Sequence, residues 1–250
     1  MFSLRSLVLL AILGFWSDIS LAQKYIKPYA GVNFSSRILS SDNAIRKDSL
    51  DNSDKIKLFP TGGVQFLFEK KPGREFYFGL AYNEIGFLRE RLDYQFQDTV
   101  HPDLGLILDL SHAAQKNGYF TYKFKYVELP IGFNFQFTPR QNMNIYTGWF
   151  NIGLNAQYLV KQQMNIFLQG FSMKGEHHFK FENTGYDAAQ FNMALQAGGR
   201  FDIKLDKKTW VTADALFKIQ LLNTAVNSNE DLRAWYMSLN LGLRREIGDW

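Results

Sequence analysis

Acidic and basic side chains recur at even spacing in the last third of the chain, and they are its most chemically loaded residues. Arg200 and Asp202 stand two apart, Asp214 and Lys218 four apart, and Arg244 and Glu246 two apart. The first two sets alternate with apolar residues and the third continues the alternation of Leu239, Leu241 and Leu243, so on a strand every member of a set points to the same side. Glu128 and Lys27 occupy the same kind of position in earlier segments. Acids and bases gathered this way can relay protons, bind an ion, or neutralise one another inside a closed space. The Asp206-Lys207-Lys208 turn sets Arg200 opposite Asp214 and brings Asp214 toward Arg244. Glu128 has Lys27 and Lys218 as candidate partners. Buried charges require partners, and residues of both signs on one side of neighbouring strands can supply them to one another. The expectation is therefore a structural polar network of Lys27, Glu128, Arg200, Asp202, Asp214, Lys218 and Arg244.

Other chemistry has weaker support. His101, His112, His177 and His178 all fall in connecting segments. Ser111 beside His112 invites a lipid-hydrolase reading, but adjacent residues rarely align as nucleophile and base, and no orienting acid is evident. Glu176-His177-His178 offers metal ligands, yet neighbouring imidazoles usually diverge. No phosphate loop, zinc spacing or nucleophile elbow is present. The sequence thus predicts no catalytic residue, no cofactor and no metal.

Eight period-two segments must position these residues. The last, from Ala234 to Gly248, is the cleanest. Trp235, Met237, Leu239, Leu241 and Leu243 form an oily face, and Tyr236, Ser238, Asn240, Gly242, Arg244 and Glu246 form a polar one. The first segment sets Ile26, Ala30, Val32 and Phe34 against Lys27, Tyr29, Gly31 and Asn33. The second covers Leu58 to Phe68 and the third Phe76 to about Arg89. In these two, Gly62-Gly63 and the parity break at Glu84 predict bulges or strand parts beyond a bilayer. The fourth, after the connection that ends near Gly118, ends in Val127 to Phe137, a stretch about the length of one tilted membrane crossing. The fifth spans Tyr146 to Tyr158, the sixth Phe191 to Lys204, and the seventh Val211 to Gln220. Nothing in the chain supplies a second layer for so many apolar faces. A sheet closed on itself, lipid outside and polar groups inside, satisfies the pattern. A lipocalin-like soluble barrel is the alternative, with the oily face turned inward.

The connections alternate in length. Those at Lys70–Arg74, Thr138–Asn142 and Asp206–Lys208 are short, whereas those at about Ser35–Ile56, Leu92–Gly118 and Lys161–Gln190 are long, and Ala225–Arg233 is intermediate. Bacterial transmembrane barrels pair short periplasmic turns with long outer loops. Within the third long connection, Ile166–Gln169 and His178–Phe181 flank Met173-Lys174-Gly175-Glu176 and predict a projecting hairpin. Outward Phe135, Phe137 and Tyr146 at one rim, and Tyr158 and Trp235 at the other, predict aromatic girdles.

Residues 1–22 read as a cleaved secretory signal: Arg5, an apolar run from Leu7 to Trp16, and a small-residue site ending at Ala22. The run is too short for a spanning helix, which needs about 20 residues. Residues 23–250 then form one barrel domain. The chain has no cysteine, so an exported product takes its stability from a closed hydrogen-bonded wall rather than disulfides. Mean hydropathy is −0.22, which excludes a helical membrane bundle but not a barrel, where polar and apolar positions cancel. The net charge of +4 is spread along the chain, with no basic tract for nucleic acid.

Phe124-Lys125-Tyr126-Val127-Glu128-Leu129-Pro130-Ile131 resembles the Tyr-Leu-Glu-Ile-Pro strand of the PorT-like outer-membrane β-barrel family of Bacteroidetes. Gly79-Leu80-Ala81-Tyr82, followed by Ile85-Gly86-Phe87, resembles that family's preceding strand. The resemblance implies an eight-stranded barrel in a Gram-negative outer membrane, in contact with outer-membrane lipid and usually of unassigned role; the family's namesake serves type IX secretion, which makes envelope or secretion-complex proteins candidate partners. Trp250 supplies the aromatic end that barrel-assembly signals often use. The combined expectation is an all-β, antiparallel, up-and-down transmembrane barrel that binds or supports through its outer loops and is not an open pore. A secretion-complex component is the first alternative and a lipid-modifying enzyme the second.

Overall fold

The computed structural model describes residues 22–40, 54–91, 100–101, 105–106, 117–138, 145–169, 177–181, 188–224 and 231–247. The signal segment up to Leu21, Ser111-His112, the turn at Met173–Glu176 and Trp250 lie outside the described residues. Eight long strands follow one another: β1 (Gln23–Ser40), β2 (Lys57–Lys71), β3 (Arg74–Arg91), β4 (Asn117–Gln136), β5 (Tyr146–Gln169), β6 (Phe191–Lys204), β7 (Thr209–Gln220) and β8 (Asp231–Ile247). Each pairs antiparallel with its sequence neighbour. β1 also pairs with β8, so that Ala30 stands between Gly62 and Leu241. The sheet is a closed meander in which each of the eight strands has a partner on both sides.

Alternation decides which side of the wall each residue takes. On β4, Leu129, Ile131 and Phe133 point outward at 52%, 50% and 49% exposure, while Glu128, next to Leu129, is fully buried. The same inversion holds on β6, β7 and β8, where outward Phe201, Phe217 and Leu241 are exposed and inward Asp202, Lys218 and Arg244 are buried. An apolar outside and a polar inside is the polarity of a transmembrane barrel. Outward aromatics pack at both ends of the wall. Phe137 meets Phe201 edge-on at 5.9 Å, Tyr158 meets Phe191 at 5.2 Å, and Trp235 stacks on Phe217 at 6.1 Å.

The short connections have local causes. Lys71 pairs with Arg74 across Pro72-Gly73, and Gly73 has a φ of 81°, a left-handed conformation that favours glycine. The Gly73 N–H donates to Glu69 Oε1 at 2.9 Å. Between β6 and β7 the Lys208 N–H donates to Asp206 Oδ1 at 2.7 Å. That bond holds the exposed Asp206 carboxyl below its ordinary pKa. The folded value is depressed, so its support of the turn is present above the usual carboxylate range and is lost as pH falls through the lowered value.

Three local expectations need correction or extension. The bulge on β2 falls between Glu69 and Lys71, not at Gly62-Gly63, which pair with Tyr82 and Ala81 in unbroken register; the tight Pro72-Gly73 turn is what displaces the ladder. Glu84 marks no bulge either. It pairs with Lys125 in continuous register and points outward into an ion pair of 3.1 Å. β1 and β5 also run further than the alternation predicted. Their outer parts stay paired, as Asn117 with Gln169, where the two faces no longer need opposite polarity. The hairpin in the third long connection is formed: His177–Phe181 pairs with β5 from Phe167–His178 to Met164–Phe181.

Gly132 and Gly153 face each other across β4 and β5, and the Tyr77 side chain lies over both. A Cβ on Gly153 would stand 2.2 Å from Tyr77 Oη. Gly153→Val must therefore displace Tyr77 from its bonds with Asn151 and Gln196. The expected loss is about 1–3 kcal/mol, read as a lower urea midpoint of the detergent-refolded barrel by heat-modifiable gel migration. An unchanged midpoint would show that Tyr77 does not fill that space.

Candidate functional site

The bore is the site where the charged residues converge. Two guanidiniums and two carboxylates form a closed ring. Arg200 Nη2 lies 2.7 Å from Glu75 Oε2, and Arg244 Nη2 lies 2.5 Å from Glu75 Oε1. Asp202 completes the ring at 2.9 Å from Arg200 Nε and 3.1 Å from Arg244 Nη1. Each carboxylate thus touches both arginines, and all four residues are at most 4% exposed. Asn134 Nδ2 donates to Glu75 at 3.1 Å. The guanidiniums also lie on aromatic faces: Arg244 is 3.7 Å from the Tyr25 ring centre and 5.0 Å from that of Trp210, and Arg200 is 4.8 Å from that of Trp149. Stacking on rings and charge pairing support these cations away from water, although Arg200 Nε and Nη1, Arg244 Nε, Glu75 Oε1 and Asp202 Oδ1 make no hydrogen bond. The ring ties β3 to β6 and β8, so its bonds cross the bore rather than run along the wall.

Two further clusters continue the network. Lys27 Nζ contacts both Asp214 oxygens, at 3.0 and 2.9 Å. Glu128 accepts from Lys218 Nζ at 3.1 Å and from the Tyr236 hydroxyl at 2.7 Å. Tyr236 in turn accepts from Gln157 Nε2 at 2.8 Å. Arg200 lies directly across the ladder from Asp214. Asp214, however, pairs with Asn240 on β8, while Arg244 pairs with Trp210. The expected approach of Asp214 to Arg244 is therefore incorrect. The register places Arg244 four residues nearer the turn end, where Glu75 and Asp202 take it, and Asp214 goes to Lys27. Lys204, at the turn end of β6, is exposed.

Sequence reasoning missed Glu75 because it sits beside a turn, one residue before the segment read as β3. Its parity with inward Tyr77 was the available signal. It also missed a charged group at the loop end, where Arg37 pairs with Asp54 and Arg89 Nε lies 3.1 Å from the same carboxyl. Arg37 lies 4.5 Å from the Phe87 ring centre. Arg37 and Asp54 fell inside what read as a long loop. Apolar groups lie on either side of the charged clusters: Tyr25, Leu67 and Tyr77 with Trp210 toward the turns, and Ile85, Phe87, Tyr122, Phe124, Tyr126, Leu232, Ala234 and Tyr236 toward the loops.

Every buried charged side chain of the bore thus contacts an opposite charge, an arrangement suited to filling a space. Among the described residues no three His, Asp or Glu side chains are grouped so as to hold a metal ion. His177 and His178 lie on the projecting hairpin, opposite Leu168 and Phe167.

No family model and no curated protein matches the chain. Among solved structures it is similar to Neisserial surface protein A, with 8% identity over 90% of this chain and 97% of that one and a TM-score of 0.41. It is also similar to the attachment invasion locus protein Ail of Yersinia pestis (11% identity, 89% and 99% covered, TM-score 0.37) and to the outer membrane protein OprG of Pseudomonas aeruginosa (12% identity, 92% and 99% covered, TM-score 0.40).

Asp214→Ala leaves the Lys27 ammonium buried without its carboxylate and is expected to lose about 3–5 kcal/mol of stability. Combining Lys27→Met with Asp214→Leu should recover most of that loss, because an apolar pair needs no neutralisation. Urea unfolding in detergent measures both. A midpoint unmoved by Asp214→Ala would contradict the pairing.

Proposed function

We propose that the protein is a Gram-negative outer-membrane barrel that carries no solute through its bore and acts by binding or support at its loop end, without catalysis. The single observation that carries this reading is that side chains bond across the bore, as Tyr236 of β8 does with Glu128 on the opposite strand β4 at 2.7 Å. An eight-stranded wall has little cross-section left once such side chains occupy it. The apolar outer face supports a place in a lipid bilayer. The tight turn at Gly73 and the short one at Asp206–Lys208, both at one end, support that end as periplasmic and the other as external. Outer-membrane lipid is then the partner of the wall.

A second reading rests on the resemblance of Phe124–Ile131 to the PorT-like strand alone: an envelope-complex component of the type IX secretion kind. Partners recovered with the chain from native membranes would favour it over a free-standing barrel.

Planar-bilayer recording tests the main reading. The wild-type barrel is expected to give no steady porin-like current, and such a current would overturn it. Orientation is tested separately with single cysteines and a membrane-impermeant thiol label on whole cells. Cysteine at Lys55 or Asn117 is expected to react and cysteine at Lys71 or Lys207 to stay silent; the opposite pattern would invert the topology.

A further inference from the structure

We propose that residues 57–60 of β2 form a lid in the wall that opens sideways toward the outer leaflet, giving an alkyl chain access to a slot now filled by the Phe59 ring. The inference rests on the reading that the wall lies in a bilayer with its loop end external. Thr61 pairs with Asn83, so the next rung toward the loops would set Pro60 opposite Glu84. Proline has no N–H to donate, and there the ladder stops. Among the described residues it resumes only where Lys55 pairs with Leu88 and Asp54 with Arg89. In continuous register Leu88 would face Ile56, so the chain carries one extra residue here. The four rungs from Pro60–Glu84 to Lys57–Phe87 are missing. Over the same stretch β2 keeps its rungs with β1, from Val32–Pro60 to Ser35–Lys57, so this part of the strand hangs from one side alone.

Side chains of β1 close the gap instead. Asn33 Nδ2 donates to the Glu84 carbonyl at 3.0 Å, and the Gly86 N–H donates to Ser35 Oγ at 3.0 Å. These bonds serve the backbone of β3 without β2, so lifting residues 57–60 breaks no ladder bond to β3. Phe59 is what holds the lid down. Ile85 and Phe87 point inward and Gly86 between them outward, and a Cβ on Gly86 would stand 3.1 Å from Phe59 Cζ. The ring therefore lies against the outer side of β3. Phe59 is accordingly buried without belonging to either interior apolar group. Gly62 and Gly63, just below the lid, have the backbone freedom a hinge requires. At the foot of the slit Asn83 Nδ2 is buried with no hydrogen-bond partner, which weakens the closed state. Ile56 and Leu58 beside and on the lid are exposed and match hydrocarbon, so the molecules next to the opening are alkyl chains. The charged ring lies toward the turns and stays shut when the lid moves.

The chain has no cysteine, so a single introduced thiol reports the opening. Ser35 and Ala234 are both buried at the loop end, but Ser35 lies at the slit and Ala234 in the unbroken β1–β8 ladder. In the full barrel reconstituted in phosphatidylcholine vesicles, N-dodecylmaleimide is expected to modify Ser35→Cys at least about tenfold faster than Ala234→Cys. Adding Phe59→Ala should raise the first rate by about a further tenfold and leave the second unchanged. Hydrogen exchange of the cysteine-free chain guards against a seal loosened by the thiol itself: the Gly86 amide should exchange at least about tenfold faster than that of Tyr82, which pairs with Gly62. Equal rates at the two cysteines, or a Phe59→Ala change that moves neither, overturn the lid while leaving the barrel reading intact, provided the barrels show heat-modifiable gel migration. A charged methanethiosulfonate with the same preference for Ser35→Cys would place the opening in water and overturn access from the leaflet. A chain that never enters the vesicle as a folded barrel overturns the membrane reading itself, and this inference with it.

Discussion

The ring of Arg200, Glu75, Arg244 and Asp202 is the constraint on which the molecule depends. Eight strands enclose too little space for a water-filled channel, and the inward half of each strand is too polar to pack as oil. The interior must then be built from side chains whose charges cancel. The ring does this with two cations and two anions that each meet both opposites. Lys27 with Asp214, and Lys218 with Glu128, extend the cancellation toward the loops. Once these bonds cross from β3 to β6 and β8, and from β4 to β7 and β8, the relative positions of opposite walls are set as firmly as the backbone ladder sets those of neighbours.

The usual division of labour in a folded protein is reversed here. Apolar side chains such as Leu129 and Leu241 face outward and gain nothing from the bore, while Asn33, Asn134, Gln157 and Asn240 are buried within it. Closure satisfies the backbone, and the polar interior provides specificity of packing. The two apolar groups, around Tyr77 and around Tyr126, lie on either side of the charged clusters. By excluding water they strengthen each ion pair inside, and they make each pair costly to break. Electrostatic matching and the aromatic layers therefore need each other. The same logic governs the outer surface, where Glu84 faces Lys125 just past the aromatic row instead of within the apolar band.

Much of this was legible in the residues. Strict alternation from Trp235 to Arg244 gave the strand, its two faces and their polarity, because parity along a strand is a local property. The Asp206–Lys208 turn gave the Arg200–Asp214 pairing, because a short turn fixes register between neighbours. Relations between non-neighbouring strands were not legible. Whether Arg244 meets Asp214 or Glu75 depends on the stagger of the whole barrel, which no single turn reports. Glu75 and Asp54 were hidden for another reason. They sit where strands pass beyond the apolar band or reach a turn, and there the alternation that identifies a strand fades although its hydrogen bonds continue.

The most direct test of a bore held shut by its own charges is a double-mutant cycle on Glu75→Gln and Arg200→Gln, read by reversible urea unfolding of the refolded barrel. Residues in direct contact within one network show interaction energies of about 0.5–3 kcal/mol. A buried, ring-stacked pair belongs at the upper end of that range, so a coupling of about 2–3 kcal/mol is predicted. A coupling below about 0.5 kcal/mol would mean that the two side chains do not meet across the bore, and would contradict the account.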